Sequence, residues 1–356
     1  MWKVDYSMKR HAAPINCIDI SQDMNHMATA STDGSVGITD LVTRETKYAQ
    51  SHQDPFLACA FSPNSQIIAS CTNSGNVILW NTNQTTEITT FKAHSQIART
   101  ICWSPDGQYI ATGSNDKTAA IWSMNRYTKR HTLTAMNGWV RDIKWLDNLI
   151  AVAGNDTNIY IYDQRAQKPV YTLQTGSGSD ISSISFHYGG SCIAAGSFDH
   201  VVRIWDLRTQ TILQKHSAHI DGVTCVAFNP YNEELLSVGR DGYARLWDLK
   251  IADIACTFNH HNGYALSCCW LPSARGFVTS GEDRKICAYR LDGKPVDPNS
   301  LEMDDGDIFA ALERMQQEIA SLATTMKTLD QRLLLQEEKL QWLQDIDCPK
   351  LRKNKN

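Results

Sequence analysis

The chain has 356 residues, 42% of them hydrophobic, and a formal net charge of -4. That length suits one large domain with an appendage, and the near balance of charge lacks the basic excess of a nucleic-acid-binding domain. No apolar run reaches the roughly 18 residues of a transmembrane helix, and Met1-Trp2-Lys3-Val4-Asp5-Tyr6 has no signal-peptide core.

After that strand-like opening, one unit recurs. In the third copy it reads Ala93-His94, Ile101-Cys102-Trp103-Ser104-Pro105-Asp106-Gly107, Gly113-Ser114-Asn115-Asp116 and Ala120-Ile121-Trp122. In the sixth it reads Ala218-His219, Val226-Ala227-Phe228-Asn229-Pro230, Arg240-Asp241-Gly242 and Leu246-Trp247-Asp248. The turn positions Asp33, Ser74, Asp116, Asp156, Asp199, Asp241 and Asp283 recur about every 42 residues. Six residues after each stand Thr39, Trp80, Trp122, Tyr162, Trp205, Trp247 and Tyr289. Alternating apolar residues flanked by polar turns predict strands, and no helical period is sustained. This is the WD-repeat signature. Seven copies predict an all-β, seven-bladed WD-repeat β-propeller over residues 1–291, each blade four-stranded. The last copy stops at Tyr289-Arg290-Leu291, one strand short. The opening segment Trp2–Tyr6 is therefore expected to complete the seventh blade and leave no open edge.

A His lies 22 residues before the turn position in five copies: His11/Asp33, His52/Ser74, His94/Asp116, His219/Asp241 and His261/Asp283. A catalytic pair would be singular, whereas this pattern recurs with decay. It reads as a buried hydrogen-bond network inside each blade. The third copy is taken to hold the full set: His94, Ser114, Asp116 and Trp122. Met136 and Ser177 replace the His in copies four and five. None of the eleven cysteines shows C-x-x-C spacing. Cys17, Cys59, Cys102, Cys225 and Cys268 recur at similar places, as small buried strand residues in a reducing compartment do.

Residues 292–307 form a polar linker with Gly293, Pro295, Pro298 and Gly306. Over 308–346 the rule changes. Ile308, Leu312, Met315, Ile319, Leu322, Met326, Leu329, Leu333, Gln336, Leu340 and Leu343 are spaced by alternating fours and threes. That heptad seam predicts a C-terminal α-helical coiled coil and a homo-oligomer, with a dimer the expected form. Residues 347–356 are a basic tail. It reads as solvated surface, or more sharply as a contact for an acidic partner such as the tails of tubulin.

No phosphate loop, H-E-x-x-H or G-x-S-x-G is present, so no catalytic residue, metal ligand or cofactor site is expected. Binding remains. Residues just before the turn Asp and three past the His are expected on one end of the propeller. Among them Trp139, Phe198, Arg240 and Tyr264 are the residue types that anchor interfaces.

Two stretches go beyond a generic repeat: Asn137-Gly138-Trp139-Val140-Arg141, continued by Phe186-His187-Tyr188-Gly189-Gly190, and Leu329-Asp330-Gln331-Arg332-Leu333-Leu334-Leu335-Gln336-Glu337-Glu338-Lys339-Leu340. With a propeller followed by a short coiled coil, they resemble the proteome-of-centriole protein one family. The resemblance implies a non-catalytic structural component of centrioles and ciliary basal bodies. It also implies cytoplasmic and cytoskeletal placement, with contacts to tubulin, the microtubule triplet and other centriolar proteins, and no nucleic-acid or membrane partner. This chain departs from the family pattern in its compact linker and in Thr39, which stands where a Trp is usual. A generic WD-repeat adaptor, such as a ubiquitin-ligase substrate receptor or a G-protein beta-like signalling scaffold, is the alternative.

Overall fold

The structure is a computed structural model that describes residues 2–291 apart from 50, 51, 134, 135, 177 and 218. The linker over 292–307, the heptad seam over 308–346 and the basic tail over 347–356 lie outside the described residues.

Seven four-stranded antiparallel sheets make up the described residues. Blade 1 runs Ile15–Ile20, His26–Ser31, Val36–Asp40 and Thr46–Tyr48 from inside to outside. The innermost strands of blades 2 to 6 are Phe56–Phe61, Ala98–Trp103, Val140–Leu146, Ile181–Phe186 and Val223–Phe228. Each packs on the next. The blade 7 strand Ala265–Trp270 packs back on Ile15–Ile20, which closes a ring. Blade 7 continues with Gly276–Gly281 and Lys285–Leu291, and its outermost strand is Trp2–Lys9. Trp2 pairs with Leu291 and Lys9 with Lys285, and the Trp2 ring lies 5.2 Å from that of Phe277.

The burial pattern explains why these segments are strands in this order. Second and third strands are buried on both faces, as in His26–Ser31 and Val77–Trp80, because each is sandwiched between neighbouring blades. Outermost strands such as Glu87–Lys92 alternate exposed and half-buried residues. Trp80, Trp205, Tyr162 and Tyr289 are fully buried and fill the gaps between sheets. In blade 1 the substitute Thr39 is also fully buried, with its hydroxyl 2.9 Å from that of Thr46.

The innermost strands have one edge with no partner strand, and side chains of the preceding blade satisfy it. Ile184 N–H donates to Asp142 Oδ2 at 2.9 Å, Val226 N–H to Ser183 Oγ at 3.3 Å, and Ile18 N–H to Ser267 Oγ at 3.3 Å. Asp142 also accepts from the hydroxyls of Thr100 and Ser183, so one carboxylate ties blades 3, 4 and 5 together. Cys17 Sγ donates to Cys59 O at 3.5 Å and Cys225 Sγ to Cys268 O at 3.8 Å, again between adjacent blades. The ten cysteines among the described residues are free thiols, and burial pushes that of Cys102 up to about 12.

Each innermost strand carries a bulge one residue after its start, for example between Ala98 and Thr100 and between Val140 and Asp142. The extra residue leaves the ladder and turns toward one end of the ring. In blades 3 and 4 that residue is Arg99 and Arg141.

Candidate binding face

The recurring His and Asp meet inside the blades. His94 Nδ1 lies 3.0 Å from Asp116 Oδ2, and His94 Nε2 lies 2.8 Å from Thr112 Oγ1. Trp122 Nε1 donates to the same hydroxyl at 3.0 Å. The run of donors is consistent: Trp122 to Thr112, Thr112 to His94, and His94 Nδ1–H to Asp116. The hydroxyl in this network is Thr112, which corrects the assignment of Ser114. Ser114 stands two residues on, at the strand end, where it accepts from the Asp116 N–H at 3.0 Å. The set is also not confined to the third repeat. Blade 6 repeats it with His219, Ser237, Asp241 and Trp247 at 2.8–3.0 Å. Blades 1 and 7 keep His11–Thr29–Asp33 and His261–Thr279–Asp283. Burial alone would raise the Asp116 and Asp241 carboxyls. Hydrogen bonds from His94 and His219 overcome it and hold both well below the usual carboxylate range.

Where the His is missing, each blade differs. In blade 5 Arg203 reaches Asp199 with both terminal nitrogens, at 2.6 and 3.1 Å. In blade 4 the corresponding residues are Met136, Val152, Asp156 and Tyr162, and the buried Tyr162 hydroxyl has no hydrogen-bond partner among the described residues.

The network braces the turns at one end of the ring. There, in all seven blades, the residue before the turn position donates its N–H to the carbonyl three past the His position. These bonds run from Thr32 to Pro14, Asn73 to Pro55, Asn115 to Ile97, Asn155 to Trp139, Phe198 to Asp180, Arg240 to Gly222 and Glu282 to Tyr264, at 2.9–3.1 Å. Side chains at these positions therefore share one face.

On this face the expected anchors are brought together. The Arg240 guanidinium lies 4.3 Å from the Phe198 ring centroid and 5.8 Å from that of Tyr264. Arg141 lies 4.9 Å from Phe198 and 6.0 Å from Trp139, and Arg99 lies 5.7 Å from Trp139. The result is one belt, Arg99–Trp139–Arg141–Phe198–Arg240–Tyr264, crossing blades 3 to 7 with each interior ring within 6.0 Å of two guanidiniums. Trp139 is 40% exposed and Tyr264 44%, so the belt faces solvent. Gly222 makes room for it. A Cβ there would meet Phe198 Cδ1 at 2.7 Å.

The "WD domain, G-beta repeat" family model matches residues 2–40, 44–81, 85–123, 167–206, 210–248 and 253–290. The chain belongs to the WD-repeat family. The unmatched 124–166 contain most of blade 4, the blade without the polar network. Among curated proteins, the "Target of rapamycin complex subunit wat1" of Schizosaccharomyces pombe is 32% identical over 30% of this chain and 33% of its own length. The "Anaphase-promoting complex subunit cdc20" of Dictyostelium discoideum is 25% identical over 42% of this chain and 31% of its own length. "Coronin-7" of Mus musculus is 27% identical over 43% of this chain and 18% of its own length. The chain thus spans a third or less of the curated relatives it matches. These WD-repeat matches reach 216 proteins, as a widely shared repeat does.

For a WD-repeat chain, the loop positions alone found four of the six belt residues. Arg99 and Arg141 were missed because they are strand residues. Their signal was present: each stands four residues before an inner-strand Trp, Trp103 and Trp145.

Proposed function

We propose that this WD-repeat protein is a non-catalytic scaffold of centrioles and ciliary basal bodies. In this reading the propeller binds microtubule-wall proteins, and the residues 308–346 pair two or more copies. Two weak contacts on one lattice then act at high effective concentration. The observation that carries a binding role is the belt, where solvent-facing rings and guanidiniums are held rigidly by backbone bonds in every blade. Rigid aromatic and Arg side chains are what interface anchors require. The centriolar assignment rests on the family resemblance in Asn137–Arg141 and in the tail.

The test is localisation of a tagged full-length chain in ciliated cells, beside the same chain cut after Leu291. Full-length protein at centrioles, with weaker retention after the cut, supports the scaffold and its avidity. Diffuse or nuclear full-length protein overturns the centriolar reading. A second reading, a WD-repeat adaptor in another assembly, draws on two matched relatives named as complex subunits.

A further inference from the structure

The belt carries unbalanced charge. It strings three guanidiniums between three rings. Among the described residues one carboxylate comes within ion-pair distance of any of them: Asp180, 3.4 Å from Arg141. Arg99 Nε donates to the neutral Asn115 Oδ1 at 2.6 Å, and Arg141 Nε donates to the neutral Asn155 Oδ1. Arg240 is exposed, and its guanidinium has ring contacts and no hydrogen bond among the described residues. Burial and the neighbouring cation lower Arg99. Burial and Arg240 lower Arg141, against the pull of Asp180. The cations are therefore crowded and incompletely hydrated, a state that an incoming anion relieves.

We propose that this belt is a docking track for an acidic, extended segment of a partner protein. Its Asp and Glu carboxylates meet Arg99, Arg141 and Arg240, and its apolar side chains lie against the exposed parts of Trp139 and Tyr264. The proposal rests on the reading of this face as the partner-binding one and adds the partner's chemistry.

Four considerations select this occupant. A guanidinium offers a planar fork that matches a carboxylate, and here the fork is pre-set by stacking on a ring. The belt is an arc over five blades, which an extended chain can follow with alternate side chains facing it. Phe198 and Trp139 each already have two guanidiniums within 6.0 Å of the ring centroid, which leaves less of either ring for stacking by a nucleic-acid base. A chain with net charge -4 also lacks the broad positive field that draws a polyanion.

The experiment measures fluorescence anisotropy of the full-length chain with a fluorescein-labelled peptide of six glutamates and two leucines. The same peptide with lysines for glutamates, and an oligothymidylate, serve as comparisons. The glutamate peptide is expected to bind, and more weakly as salt rises from about 50 to about 200 mM. Arg240→Glu should weaken it about tenfold or more and Arg240→Gln about threefold to tenfold. Lys250→Glu, in the turn at the other end of the strand Tyr243–Asp248, should leave it within about twofold. Arg240 is exposed, so neither change threatens the fold; circular dichroism checks this. Equal binding by the Arg240 variants, or tighter binding of the oligothymidylate, overturns the proposal. Absence of glutamate-peptide binding by a protein that reaches centrioles overturns the track and leaves the scaffold reading. Peptide binding through Arg240 by a protein diffuse in cells upholds the track and removes the centriolar reading.

Discussion

Blades 6 and 4 fold to the same four-stranded sheet with opposite interiors. Blade 6 buries a full polar set, in which Asp241 takes both His219 and Arg245, the latter at 2.9 Å. Blade 4 has Met136, Val152 and Tyr162 in the matching places, all buried, and its Asp156 is held by two N–H contacts at 3.4 Å. The difference shows that the strand pattern and the turns suffice for the sheet. The network is one way of filling its end, complete in blades 3 and 6, reduced to His, Thr and Asp in blades 1 and 7, and replaced by apolar groups in blade 4. Removing one member leaves buried polar groups unpaired, whereas exchanging all of them for apolar groups need cost little.

That comparison can be broken most directly at the turn Asp. Asp241→Ala leaves His219 and Arg245 buried without their anion and should cost about 3–5 kcal/mol in urea unfolding. Asp156→Ala should cost less than about 1 kcal/mol. Equal losses would show that blade 4 keeps a hidden network. Blade 5 gives an intermediate case. Arg203→Met strips Asp199 of its bidentate partner and should cost about 2–3 kcal/mol, while Arg245→Met, with His219 still in place, should cost about 1 kcal/mol. In blade 4, Tyr162→Phe removes a buried hydroxyl without a partner and should stabilise by about 1 kcal/mol, read as a rise of a few degrees in melting temperature.

The smallest effect is the pH dependence. Burial holds the His11, His216 and His219 imidazoles below their usual range. The unfolded chain then takes protons first, so a penalty absent above about pH 6.5 grows as pH falls. Asp33, Asp116, Asp199, Asp241 and Asp283 are held low, so their contribution persists to about pH 4 and is lost as pH falls through their folded values. Melting temperature should be flat from about pH 8 to 7 and then decline in two stages. His219→Gln should shallow the first stage, and a variant at Met136 in blade 4 should not change it.

The sheets were legible in the sequence because every repeat carries its own alternation and turn residues. The network was legible in its Asp, His and Trp, whose spacing is fixed, and illegible in its hydroxyl. Thr112 and Ser114 share one face of a strand, and only the register of Thr112 opposite Ala120 decides which meets the imidazole. Blade 6 shows the rule that resolves it: the hydroxyl stands eighteen residues after the His and ten before the Trp. The belt was half legible for a similar reason. Loop residues could be placed on one end by counting from the His and Asp, but Arg99 and Arg141 reach it through a bulge, and periodicity alone does not predict a bulge.

The pairing of Trp2–Lys9 with Lys285–Leu291 also governs the order of events on the ribosome. Trp2–Lys9 is made well before the strand it pairs with and waits for it. At about 5–20 residues per second it waits roughly a quarter of a minute to a minute while six blades are built. During that wait its backbone is unpaired, and Lys3, Asp5 and Lys9 give it the charge that discourages pairing with a neighbouring chain. The ring is thus fastened by a clasp that cannot close until Lys285–Leu291 has been made.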